Sequence, residues 1–212
     1  MHSFLINFGY ILLLLNFILF AIKFPGKNIA YKIFTFYLFV IICVQIGAKI
    51  CLLKRIPNLF LSHVYFIGQF AILSLFYLKL VRDQFQQKVI KIGFVLVLST
   101  LIIQYGLKPE MFLKFNLYEI FITSFLLIIY SVFHFYNMLD DVKEFYFINM
   151  GILLYLFAST ILFLIGNLTA KFSKDLSMIT WTLNAFLVIV NNLFYLYEWK
   201  ISYYKKAITN SN

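Results

Sequence analysis

Charge is scarce in this sequence: only 12 % of its 212 residues are Asp, Glu, Lys or Arg, about half the share of an ordinary soluble domain. Proline is scarcer still. Pro25, Pro57 and Pro109 are the three present, and each falls between apolar runs. That argues against the broken membrane helices around which many transporters build their central sites. Cys43 and Cys51 are the only cysteines. They lie in one predicted helix, about 12 Å apart along its axis, too far for a disulfide, and they form no CxxC or metal-ligand spacing. Small apolar fillers is the reading they support. The chain also lacks a Walker loop, an HExxH zinc motif, a GxSxG nucleophile elbow and a Rossmann glycine pattern. No catalytic residue, metal or cofactor is expected, and the balance leans away from an enzyme.

What is plentiful is apolar. Such residues make up 63 % of the chain, with 27 Phe and 15 Tyr among them. A soluble chain this short has too much surface to hide that content; lipid removes the difficulty by allowing an apolar exterior. Seven apolar runs follow, at 8–22 (extended backwards by Leu5 and Ile6), 30–53, 61–80, 89–105, 115–136, 145–165 and 181–199. Most approach the ~20 residues needed to cross a bilayer as helix. Short polar breaks such as Phe24-Pro25-Gly26-Lys27-Asn28 and Lys54-Arg55-Ile56-Pro57-Asn58 separate them, and Gly166-Asn167 reads as the stop of the sixth. The first run has no basic leader and no clean cleavage site, so it is read as a retained helix rather than a signal peptide. The fold class expected is all-α: a polytopic seven-helix transmembrane bundle over residues 1–200, forming one domain, with a short basic cytoplasmic tail at 201–212.

The net charge of +10 sits mainly in the breaks, so anchoring and topology explain it better than nucleic-acid binding. Seven spans place the two termini on opposite sides. With the N-terminus outside, eleven of the eighteen basic residues fall on the cytoplasmic side, including Lys79, Arg82, Lys88, Lys91, Lys200, Lys205 and Lys206. The positive-inside rule therefore favours N-out and C-in, as a multi-pass protein of the inner (plasma) membrane.

The seventh run, WTLNAFLVIVNNLFYLYEW, carries amides where hydrocarbon offers no hydrogen-bond partner. Trp181, Asn184, Val188, Asn191, Tyr195 and Glu198 recur at helical spacing on one side. With Asn192 beside them and Asn149 in the sixth run, they define a polar seam expected to face other helices. Three uses remain open for that seam: interhelical packing, ligand sensing, or a transport or proton path. A second candidate is an inner cluster of His134 with Asp140 and Asp141, made pH-responsive by an imidazole that changes charge near neutral pH; solvated loop charge competes with it. Glu119 and His134 share a helix face but lie roughly 22 Å apart in rise, so they form no pair within one straight helix. Glu119 and Glu198 read as headgroup-facing helix ends, too far from each other for paired-carboxylate chemistry. His63 falls on the outer side by span count, with His2. Two histidines without a third ligand make poor evidence for zinc.

The stretches FYFINMGILLYLFASTILFLIGN and WTLNAFLVIVNNLFYLYEWK resemble seven-helix membrane proteins and sensor-kinase input domains of Bacteroidota: an aromatic-Asn entry to helix six, then Trp, Asn and a terminal Trp-Lys in helix seven. The resemblance implies that Phe147, Asn149, Trp181, Asn191 and Trp199 take part in signal coupling. The chain carries neither a kinase histidine box nor an ATP-binding region. A sensory role would therefore need a membrane histidine kinase or another signalling partner; the phospholipid bilayer and a homo-oligomer of the chain itself are the other associations expected. Two functions stand as expectations: a sensory or accessory protein that couples an outer or intramembrane stimulus to a partner, and a small-solute or lipid-binding transporter or channel-like protein.

Overall fold

Where a polar break supplies a cap, a helix begins. Asn28 is extended and its side-chain oxygen accepts the N–H of Tyr31 at 2.9 Å; Asp83 does the same for Gln86 at 2.8 Å. Each satisfies one of the orphan donors of a first turn. Replacing Asn28 by Ala should cost about 1 kcal/mol, measured as a lowered unfolding midpoint in detergent, with no change in helix content of the folded protein.

The computed structural model describes residues 2–139, 143–169 and 174–204. Among these, seven α-helices are long and apolar enough to cross a membrane: α1 (His2–Ile22), α2 (Ile29–Leu53), α3 (Phe60–Leu80), α4 (Gln84–Leu107), α5 (Leu117–Asn137), α6 (Tyr146–Thr169) and α7 (Lys174–Trp199). A 3₁₀ turn, Pro109–Leu113, follows α4, and a π turn, Lys200–Tyr204, follows α7. The architecture is all-α, with the make-up of a multi-pass membrane protein.

Several helices outrun their apolar stretches. α4 starts five residues ahead of the hydropathy boundary because Asp83 caps it there. α6 runs through Gly166 to Thr169, where a stop was expected. The reason is packing: a Cβ at Gly166 would lie 3.1 Å from Thr180 Cγ2 on α7, so this glycine admits a neighbouring helix instead of ending its own. α2 ends with Arg55 in the left-handed region (φ 55°). There Ile56 N–H reaches back to Cys51 O at 2.9 Å and Arg55 N–H to Leu52 O at 3.1 Å, the double bond of a Schellman stop.

The helices divide into two units, residues 1–25 with 135–212, and residues 26–134. In the first, α6 and α7 form an antiparallel hairpin and α1 packs on α7. His2 meets Thr182, Gly9 faces Val188 and Ile189, Asn16 bonds Asn192, and Trp199 donates to Leu19 O. Partner numbers rise together, so α1 and α7 run parallel. In the second unit α2, α3, α4 and α5 alternate in direction. Phe34 packs on Phe76, Phe70 on Phe94 and Tyr130 reaches Ile90 O. α3 and α5 run parallel, with His63 by Glu119 and Tyr77 by His134. Parallel pairing of odd-numbered helices is what alternating crossings require.

The outward faces stay apolar. Ile102 is 71 % exposed and Val95 60 %, both on α4, the helix with the smallest buried share. A face of that kind is stable against acyl chains and not against water.

Candidate functional site

The second unit holds an ionisable pair shut away from the surface. His63, in the first turn of α3, is 1 % exposed, and Glu119, in the first turn of α5, is fully buried. His63 Nδ1 lies 3.1 Å from one carboxylate oxygen of Glu119 and 3.2 Å from the other. Parallel packing of α3 and α5 puts both first turns at the same level, which brings together residues 56 apart in sequence.

Two more helical ends complete the network. Tyr105, in the last turn of α4, donates its hydroxyl to Glu119 Oε2 and lies 3.0 Å from His63 Nδ1. Asn116, just before α5, donates through Nδ2 to Tyr105 Oη and to Gln104 Oε1, both at 3.0 Å. Its own oxygen accepts the Glu119 N–H at 3.3 Å. Asn116 thus starts α5 and braces the tyrosine that holds the glutamate. The 3₁₀ turn closes the cluster: Phe112 lies 5.0 Å from the imidazole and 5.2 Å from the Tyr105 ring, centroid to centroid. Outside it, Glu110 and Lys114 pair at 3.6 Å as exposed side chains.

This arrangement has one open end. With Nδ1 directed at the carboxylate, His63 Nε2 is buried and has no hydrogen-bond partner. A carboxylate that holds one imidazole nitrogen sets which tautomer the ring adopts and leaves the other nitrogen to accept or donate. The cluster can therefore exchange a proton or take one hydrogen-bonding group. Among the described residues no three His, Cys, Asp or Glu side chains gather as a metal-ligating set.

Counting spans puts His63 and the entrance of α5 that carries Glu119 on one side, but the sequence pattern sets His63 beside His2 and reads Glu119 as a headgroup-facing helix end. The available signal was positional: odd-numbered helices enter from the same side, so two polar residues in the first turns of α3 and α5 stand at one depth. Tyr105 and Asn116 carried no signal of their own, since tyrosine and asparagine at helix ends are common.

The polar seam lies in the first unit. Asn192 and Asn191 are 3 % and 7 % exposed. Asn16 Nδ2 donates to both the backbone and side-chain oxygens of Asn192 at 3.0 Å, and Asn191 Nδ2 donates to Tyr195 Oη at 2.9 Å. Asn16 was not singled out from the sequence. Asn149 and Tyr195 are buried. Asn184 keeps a shielded oxygen without a partner, and Trp181 is 43 % exposed beside Phe163.

Glu198 is buried as well, 1 % exposed, rather than facing headgroups. Its Oε2 accepts the N–H of Phe147 at 2.8 Å and its Oε1 accepts from Ser202. The first turn of α6 follows Phe145, whose φ is 56° and whose side chain offers no acceptor. Glu198 of α7 therefore caps α6, where an anion also complements the helix dipole. His134 is buried near Tyr77; Asp140 and Asp141, its expected partners, lie outside the described residues.

No protein-family model, curated protein or solved structure matches the chain.

Proposed function

We propose that this chain is an integral membrane sensory or accessory protein that passes a stimulus to a partner, and that the network around His63 and Glu119 receives it. One observation carries the reading: a buried imidazole and carboxylate share hydrogen bonds with groups from α3, α4 and α5, and one imidazole nitrogen is left unused. A proton or a small ligand that changes either group changes bonds tying three helices together. Helix packing then shifts to the arrangement that suits the new bonding. Histidine is the side chain suited to such a change near neutral pH.

With the N-terminus outside, as the basic residues favour, the network stands at the outer end of the bundle. The signal would leave by a partner, a membrane histidine kinase or comparable protein of the inner membrane, reached through the basic residues after α7.

The test is amide hydrogen exchange across 60–66 and 104–120 in lipid nanodiscs, at acidic and neutral pH, for the wild type and His63→Gln. Glutamine keeps a hydrogen-bonding side chain without titrating. The groups facing the imidazole are Glu119 and Tyr105, and both are retained, as is the exposed Glu110–Lys114 pair. The wild type should change protection with pH in these segments and the variant should not. An equal pH response in both, at equal folded yield, would rule out His63 as the receiver.

A further inference from the structure

At the corner between α3 and α4 a cleft of about 470 Å³ is lined by Leu78, Lys79, Val81, Arg82, Gln87 and Lys91. Its walls are basic. Lys79, Arg82 and Lys91 are all exposed, and Lys88 stands one turn from Lys91 on α4. Asp83, the acidic residue of the connecting turn, is engaged in capping α4. Gln87 Nε2 donates to Val81 O at 2.9 Å and Val81 is 2 % exposed, so the turn that frames the cleft is braced from within.

Exposed apolar side chains lie one turn from two of these cations. Leu75, four residues before Lys79 on α3, is 45 % exposed; Val95, four residues after Lys91 on α4, is 60 % exposed. Residues four apart share a helix face; Lys79 is next to the last residue of α3 and Lys91 the eighth of α4, and both steps lead away from the corner. Cations at the corner with exposed apolar side chains one turn further along both helices match one kind of molecule in two parts. We infer that this corner is a binding site for an anionic phospholipid. Its phosphate sits among Lys79, Arg82 and Lys91, and its acyl chains lie along Leu75 and Val95. Near-surface Lys and Arg attract anionic lipid, and a bilayer supplies such a lipid with both parts already at the right depth. A free phosphate would use the cations alone.

The experiment uses the full-length protein reconstituted in vesicles of phosphatidylcholine and phosphatidylglycerol in equal parts. The protein is extracted in mild detergent and its retained lipid measured by mass spectrometry. Phosphatidylglycerol should be enriched over the vesicle ratio. Lys79→Gln, Arg82→Gln and Lys91→Gln together should return it to that ratio. The matched triple Lys23→Gln, Lys27→Gln and Lys32→Gln, which removes equal charge elsewhere, should leave the enrichment in place. Equal losses from both triples, or from neither, overturn the site. Should the cleft triple fail to fold, the single exposed variants Lys79→Gln and Lys91→Gln replace it, each lowering enrichment roughly fivefold; no loss from either overturns the site. Excess inorganic phosphate added during extraction should not displace the lipid. Displacement would show a free-anion site and overturn the lipid assignment.

Discussion

Replacing His63 alone by Leu should destabilise the protein more than replacing His63 and Glu119 together. The single change strands a fully buried carboxylate, leaving it only the Tyr105 hydroxyl in place of shared bonds to two groups. Losing one partner of a buried pair costs about 3–5 kcal/mol, because the remaining group keeps its desolvation penalty. The double change His63→Leu with Glu119→Met removes both penalties at once and ranges from roughly neutral to modestly stabilising. Tyr105 would still accept from Asn116, so the rest of the network keeps a brace. The measurement is a four-corner cycle of unfolding midpoints in detergent, with a coupling energy well above zero expected. Strictly additive single losses would mean that the two groups do not interact in the folded protein. The same cycle separates stability from signalling. A double variant that folds as well as the wild type but no longer changes hydrogen exchange with pH assigns the pair to function rather than to folding.

Gly151→Leu is expected to separate α6 from α7. Even a Cβ at this position would lie 2.8 Å from Asn191 Oδ1, 2.9 Å from Phe194 Cβ and 3.4 Å from the Asn191 carbonyl. Two of those neighbours are anchored to the α7 backbone, so relief requires the helices to move apart. Gly151→Ala should therefore cost about 1–3 kcal/mol by overpacking, and leucine more, with the Asn191–Tyr195 bond disturbed in both. Small residues drive close helix approach in membranes, where no hydrophobic force favours helix over lipid. Gly106 is the control: nothing lies within 4 Å of a Cβ there, and Ala is better than Gly in a helix by roughly 0.5–1 kcal/mol. Gly106→Ala should hold or raise the midpoint. A Gly151→Leu protein with a wild-type midpoint would show that α6 and α7 are not packed as described.

Capping and gluing residues in the first unit show how one residue type serves different ends. The Asn16–Asn192 contact ties α1 to α7, and interhelical amide bonds of this kind contribute about 0.6–2 kcal/mol. That is enough to choose a register between two otherwise apolar faces. Glu198 works differently, closing the unsatisfied start of a neighbouring helix. Buried oxygens of Asn16, Asn184 and Asn191 are left without a partner in the first unit, as His63 Nε2 is in the second; the His63 site differs in joining an imidazole to a carboxylate.

The helices themselves could be read from short windows. Each needs only enough consecutive apolar residues and a break, and both are local properties of the chain. Boundaries were less legible where hydropathy and capping disagree: Asp83 starts α4 ahead of its apolar run, and Gly166 reads as a stop until Thr180 is seen beside it. The seam residues on α7 were visible because asparagine is conspicuous in an apolar run. Asn16 stands out in its own apolar run in the same way, but nothing within α1 points to its partner 176 residues away.

By itself the sequence determined the class of solvent, the number of long apolar helices and the residues too polar to leave in lipid. Which polar residues meet was decided only by tertiary structure. The physical reason is that these helices are apolar on nearly every face, so their own pattern does not say which side turns inward. The parallel packing of α3 and α5 is what carries Glu119 to His63, and no spacing within either helix encodes that meeting.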